Sequence, residues 1–314
     1  MVRGSKRAEV LRPMNILHSF RKILFGNAYL LLVLTTLFWG GNGVAGRLAV
    51  GEISPMVLVA LRWVVVVAIT LPLVGRQLVD AWPKLKGHGW LIVAMGTCGF
   101  TAFNALFYGA AHYTSAVNLT IFQGAIPVLV LIGAVLFFRN RVRPLQVLGM
   151  AVTMVGVIVV SVRGDMAVLR AMALNFGDVL MLIACLFYAG YTLGLRQRPA
   201  VPGFVFFTAL AFVAFLTSLP LLAVEMASGA AQWPTLKGWL VLLYVAVLPS
   251  LVAQIFFIRG VELIGPARAG LFVNLVPVFG ALLAVILLGE PFASYHAIGL
   301  VMVLGGIWLA ERKT

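Results

Sequence analysis

Apolar runs of about twenty residues, separated by short polar connections, recur down the whole chain, and their length predicts helices that cross a bilayer. They fall at roughly 28–50, 54–75, 88–111, 115–138, 145–162, 176–196, 203–224, 236–258, 266–288 and 295–310. Ten such spans predict an all-α integral membrane protein. A shift of 150 lays Asn104 on Gln254, Phe107 on Phe257, Phe122 on Phe272, Pro127 on Pro277, Gly149 on Gly299 and Gly156 on Gly306 without a gap. For the first helix of each half a shift of 149 does the same, pairing Phe38-Trp39 with Phe187-Tyr188, Gly41 with Gly190, Asn42 with Tyr191 and Arg47 with Arg196. The chain therefore reads as a tail at 1–27 followed by two five-helix repeats, at 28–163 and 176–310. Because five is odd, the repeats must lie in opposite orientations in the membrane.

The fourth and ninth spans carry a proline at matched positions near their middle. Pro127 and Pro277 each remove a backbone donor and leave the carbonyl one turn earlier, at Gln123 and Val273, without its partner. Gln123 and Gly124 precede the first break, and Val273 and Asn274 precede the second. Irregular backbone inside a bilayer is tolerated only where protein or a water-filled cavity covers it, so matched breaks are expected to border a binding site between the repeats.

Composition narrows the class. With 62% hydrophobic and 10% charged residues, the chain lies outside the range of soluble globular domains. The net charge of +14 does not imply nucleic acid, because the basic residues are scattered between apolar spans rather than gathered on one face. Arg3, Lys6, Arg7, Arg12, Arg21 and Lys22 precede the first span. Arg76, Lys84, Lys86, Arg139, Arg141, Arg143, Arg196, Arg198, Arg259, Arg268, Arg312 and Lys313 fall on the same side, against Arg163, Arg170 and Lys237 on the other. An excess of Lys and Arg marks the cytoplasmic side, so both termini of a multi-pass inner-membrane protein are expected in the cytoplasm. The first span exceeds a signal peptide's apolar core and lacks a small-residue cleavage site, so the tail is expected to be retained. Residues 1–13 carry no functional weight, since Met14 serves equally well as a start. Cys98 and Cys185 lie inside spans and read as packing residues.

Candidate chemistry comes from polar and aromatic positions that share a helix face. Trp39, Asn42 and Gly46 have this spacing in the first span, and Tyr188, Tyr191 and Leu195 in the sixth. Thr101, Asn104 and Tyr108 share a face of the third, and Ser250, Gln254 and Phe257 a face of the eighth. Mid-depth amides face a partner helix or a cavity, and their recurrence at Asn104 and Gln254 favours a shared cavity over interhelical bonds alone. With the residues at the breaks, the candidate substrate contacts are Trp39, Asn42, Asn104, Tyr108, Gln123, Tyr188, Tyr191, Gln254 and Asn274. Gly41 and Gly190 are expected to border the same space. Arg62 sits near the bilayer centre with Ala209 or Ala211 as its counterpart, so it must find an acceptor. A structural role, bonding carbonyls freed at a break or snorkelling to the surface, is favoured over attraction of a substrate carboxylate. Gly149 and Gly156, like Gly299 and Gly306, are seven apart and suit close helix packing within the bundle or against a second copy; a monomer is favoured over a homodimer.

Several classes are disfavoured. Asp178, Glu262 and Glu290 lie at span ends or connections rather than mid-span, which argues against tight ion coupling through a buried acid. His18, His88, His112 and His296 fall at span ends or outside them, and no HExxH, GxSxG or Walker pattern occurs. No enzyme, metal site or cofactor is therefore expected; an integral-membrane enzyme is the remote alternative. A channel lacks a visible filter loop.

These residues resemble the drug/metabolite transporter superfamily, specifically its ten-helix EamA type, over roughly residues 28–310. The resemblance rests on LFWGGNGVAGRLA in the first helix, SPMVLVALRW with Arg62 in the second, GDVLMLIACLFYAGYTLGLR in the sixth, PARAGLFVNLVPVFGALLAVILLGEP in the ninth and HAIGLVMVLGGIWL in the tenth. One departure is Asn140, where the family often has a Glu like Glu290. Similar proteins export amino acids and related metabolites, including the aromatic amino-acid exporter group, while others carry drugs, nucleotide sugars or sugar phosphates. The resemblance implies export of amino acids or related small metabolites by alternating access, in a cavity between helices one to four and six to nine with five and ten as scaffold. A drug, nucleoside or sugar derivative is the alternative substrate. Without a buried acid or several intramembrane cations, a zwitterion fits better than a cationic drug or a sugar phosphate.

Overall fold

A computed structural model describes residues 24–312 apart from 111, 115, 173 and 290; most of the tail and the Glu290 position thus lie outside the described residues. Among the described residues, ten helices are long and apolar enough to cross a membrane: α1 Ala28–Ala49, α2 Pro55–Lys86, α3 Gly89–Ala110, α4 Asn118–Phe138, α5 Pro144–Ser161, α6 Phe176–Gln197, α7 Gly203–Ala227, α8 Leu236–Ile264, α9 Pro266–Leu288 and α10 Ser294–Glu311. The described residues form no strand. α2 runs 32 residues, well past the expected end of its span, so Arg76, Lys84 and Lys86 ride on its last turns instead of in a loop.

Helix starts follow from short polar residues. Asn27 caps α1 by accepting from the Leu30 amide at 3.1 Å, and Thr235 caps α8 by accepting from the Gly238 amide at 3.1 Å. At α6 Asn175 and Asp178 form a reciprocal capping box. The Asp178 carboxylate also accepts from Thr114 at 2.6 Å and Asn118 at 2.9 Å, tying the start of α6 to that of α4.

The repeats interlock. α1 packs against α8 and α9, α6 packs against α3 and α4, and α2 meets α7. Each of these pairings maps onto another, or onto itself, when repeats are exchanged, as an inverted duplication requires. The most extensive contact joins α5 to α10 along the glycines read from the sequence. A Cβ at Gly149 would meet the Gly306 carbonyl and, at 2.7 Å, the Ala310 amide; one at Gly156 would come within 2.9 Å of Val303 and 3.1 Å of the Gly299 carbonyl. The two glycine pairs thus face one another inside one chain, and backbone approaches backbone where any side chain would intrude.

Both expected interruptions are present, and the helices resume at equivalent positions, Ala125 and Leu275. α4 breaks at Gly124, between Ala116–Gln123 and Ala125–Phe138, and α9 narrows to a 3₁₀ turn at Phe272–Asn274. A second matched irregularity was not expected. α3 widens to a π-helix over Gly96–Ala102 and α8 does so over Ala246–Val252. Pro249 accounts for the second, since it cannot donate within the α-helical ladder. Its counterpart, Gly99, supplies no side chain, and a Cβ there would lie 2.6 Å from the Tyr191 ring.

Candidate functional site

The two π segments bring polar groups together at the middle of the interlocked core. Widening the helix frees carbonyls that side chains then occupy. Asn104 donates to the Phe100 carbonyl at 2.5 Å, Ser250 donates to the Val245 carbonyl at 2.7 Å, and the Trp39 indole donates to the Pro249 carbonyl at 3.0 Å. Between these helices lies the buried side chain of Arg62. Its Nε and Nη2 donate to Ser250 Oγ at 2.9 and 2.7 Å, and its Nη1 donates to Asn104 Oδ1 at 3.0 Å. Arg62 neither snorkels nor binds a freed carbonyl; its acceptors are neutral side chains at the ends of the two π segments. Those acceptors are on α3 and α8, so Arg62 joins the repeats.

Aromatic rings fill the space beside it. Trp63 stacks on Phe100 at 4.8 Å with planes 4° apart. Trp39 meets its counterpart Tyr188 edge to face at 5.7 Å and lies 5.2 Å from Phe257. Tyr188 lies 5.4 Å from Tyr191, whose hydroxyl donates to Gln254 Oε1 at 3.1 Å. Four candidates keep buried polar atoms with no hydrogen-bond partner: Asn42 Oδ1, Tyr108 Oη, Tyr188 Oη and, at the α9 break, Asn274 Oδ1. Unpaired buried polar atoms are costly and rare, and a cluster of them marks a place where a further partner is accommodated.

Not every candidate joins this cluster. Asn274 is fully buried and donates to Thr153 of α5 at 2.7 Å, so it ties the break in α9 to the α5–α10 pair. Gln123 is half-buried at the break in α4. Pro127 and Pro277 are buried, each three residues beyond the interruption. Gly41 and Gly190 do not border a shared space: a Cβ at Gly41 would collide with the Tyr244 hydroxyl, and Gly190 is exposed on the outside of the bundle. Cys185 is buried and donates to the Phe122 carbonyl at 3.3 Å, beside the α4 break.

The two ends of the bundle differ. At one end a cavity of about 920 Å³ opens among the α4–α5, α6–α7 and α8–α9 connections. Arg141, Arg143, Arg196, Arg198, Arg259 and Arg268 line it, with Glu262 bridging Arg198 and Arg259. Its inner end is reached by Leu195, one turn past Tyr191, and Val261, two turns past Gln254. At the other end, loops are tied. Ser54 donates to Glu225 at 2.6 Å and accepts from the Gln232 amide at 3.0 Å. Glu225 also accepts from the Met56 and Val57 amides, both at 3.1 Å, capping α2. Glu52 accepts from Thr235 and pairs with Lys237 at 3.4 Å; the Thr235 bond, with help from Lys237, holds its carboxyl below the ordinary range. Sequence reasoning used the arginines only to set orientation and gave Glu225 no role; its signal was a single acid at the end of an otherwise apolar span.

Ten interlocked spans in two inverted repeats, broken at matched points around a polar core, define the architecture of a membrane carrier. The chain belongs to the EamA-like transporter family, which matches residues 26–162 and 175–311. It is 25% identical over 288 residues to the uncharacterized transporter YyaM of Bacillus subtilis (strain 168), covering 91% of this chain and 93% of that one. An uncharacterized transporter of Archaeoglobus fulgidus is 26% identical over 295 residues, covering 91% and 97%. A solved crystal structure of a protein 18% identical superposes with a TM-score of 0.74 over 90% of this chain and 96% of that one, a likeness of fold.

Proposed function

We propose that this membrane transporter exports amino acids or related small metabolites across the cytoplasmic membrane by alternating access. The observation that carries the reading is the set of unsatisfied groups within the spans: an Arg62 guanidinium with only neutral partners, together with the unpaired Asn42 Oδ1, Tyr108 Oη and Tyr188 Oη. A small molecule with a carboxylate and a donor group supplies the partners these atoms lack. In this reading Trp39, Asn42, Arg62, Asn104, Tyr108, Tyr188, Tyr191 and Gln254 contact substrate, while Gln123 and Asn274, with Pro127 and Pro277, set the helix breaks. The arginine-lined cavity faces the cytoplasm, as the distribution of basic residues favours, and both termini share that side. An open cavity at that end and tied loops at the other fit an inward-facing carrier, with the Tyr191–Gln254 bond lying between cavity and core.

Counterflow in proteoliposomes, with labelled amino acids, sugar derivatives and cationic dyes offered in turn, tests this. Amino acids or close relatives are expected to exchange and the others not. Asn42→Ala, Tyr108→Phe or Tyr188→Phe, each removing a polar atom that has no hydrogen-bond partner, is expected to weaken exchange by about fivefold, the equivalent of roughly 1 kcal/mol, with little change in detergent melting. If melting falls in step with exchange at all three, these residues hold the bundle together and the substrate site lies elsewhere.

A further inference from the structure

The core and the cavity both carry unbalanced positive charge. Resting on the exporter reading above, we propose that the exported species is a small carboxylate anion with net negative charge, and that the membrane potential alone draws it outward.

Arg62 supplies the first observation. A guanidinium stays charged and has five N–H donors, and the bonds to Ser250 and Asn104 use three of them. Two remain for a ligand. Among the described residues no Asp or Glu makes a hydrogen bond or ion pair with Arg62. A buried cation without a counter-charge is costly, and an anionic ligand is the partner that lowers that cost most.

The cavity supplies the second. Of its six arginines, Arg198 and Arg259 share Glu262, and Arg268 meets Glu311 at 3.5 Å. Arg141, Arg143 and Arg196 pair with no carboxylate among the described residues; Arg196 bonds Asn140 and stacks on Phe138 at 4.4 Å. One guanidinium nitrogen of Arg198 is buried with no hydrogen-bond partner. The preference for basic residues on the cytoplasmic side explains which end carries them, but not why six line one cavity with a single acid. A cleft of one sign concentrates ligands of the other.

The third observation is the missing coupling group. Among the described residues, the acids of the spans lie toward their ends: Asp80 is exposed on the last turns of α2, Asp178 is held by Thr114, Asn118 and Asn175, Glu225 caps α2, and Glu262 and Glu311 pair with arginines. A neutral or cationic substrate leaving a cell against its gradient needs a coupled ion. An anion does not, because an inside-negative potential already drives it out. With Arg62 fixed in the site, the loaded carrier is near neutral and the empty one carries the positive charge. The potential therefore acts on the return of the empty carrier, and exchange, in which the carrier moves loaded both ways, should not feel it.

The test uses the full chain in proteoliposomes with labelled glutamate, phenylpyruvate, leucine and lysine. Glutamate or phenylpyruvate is expected to exchange at a rate unchanged by a potassium diffusion potential. Net efflux of the same anion should distribute with an outside-to-inside ratio that rises tenfold for about 59 mV of inside-negative potential. Arg141→Gln with Arg143→Gln should raise the half-saturating concentration several-fold at low salt, with the difference vanishing at high salt. The inference falls if neither anion exchanges, or if the distribution ignores the potential. Exchange of leucine without either anion would overturn it while leaving the exporter reading standing; exchange of none of the four would sink it outright.

Discussion

Ser250 is the residue on which the core turns, because one hydroxyl accepts from two nitrogens of Arg62 and donates to Val245. Replacing it with Ala leaves a buried guanidinium short of an acceptor. Ser250→Ala is therefore expected to cost about 1–3 kcal/mol in detergent unfolding, more than Tyr188→Phe, which removes only a hydroxyl that is unpaired already. Equal losses from the two would show that the Arg62 bonds contribute nothing special. The glycines thought to border a cavity behave differently at this scale. Gly41→Trp should lower the melting temperature by driving into Tyr244, whereas Gly190→Trp should be tolerated on the lipid side. The sequence shows that Arg62 needs an acceptor; it cannot show which, since Ser250 is 188 positions away and is aimed by a π-turn that has no simple periodic signature.

Among the elements, the α5–α10 seam and the tied loops opposite the cavity give separable expectations. Gly149→Val should destabilise by about 1–3 kcal/mol, because the added side chain meets backbone that cannot yield. Val at Gly305, which has open space, serves as the matched control, and equal melting of the two proteins would refute the seam as a packing device. The latch formed by these loops should respond to acid. Glu52 has a depressed folded pKa, so its bonds stabilise the latch at neutral pH and are lost as pH falls through that value, below the ordinary carboxylate range. Amide exchange at Ser54 and Gln232, corrected for its intrinsic pH dependence, should quicken in that window and be quick throughout in Glu52→Gln. The seam was legible because small residues seven apart occur in both repeats; the latch was not, because it is built from loop residues far apart in sequence.

For the whole molecule, the ten spans and the duplication could be read from apolar periodicity and a single numerical shift, since bilayer thickness fixes span length. The interlocking of the repeats could not: periodicity gives each helix a face but not the helix that meets it. Cysteine labelling checks the orientation, with Lys84 and Arg141 expected to react from the cytoplasm and Glu52, Asp165 and Ser294 from outside; outside labelling at position 84 would end the inverted-repeat reading. The seam between α5 and α10 also bears on biogenesis. Gly149 is inserted 157 residues before its partner Gly306 is made, an interval on the order of ten seconds at ordinary elongation rates. Through that interval the nascent first repeat offers a bare glycine groove to the bilayer, where the α10 of a neighbouring chain on the same message could fill it. Quality control of this carrier is then a race between its own last helix and someone else's.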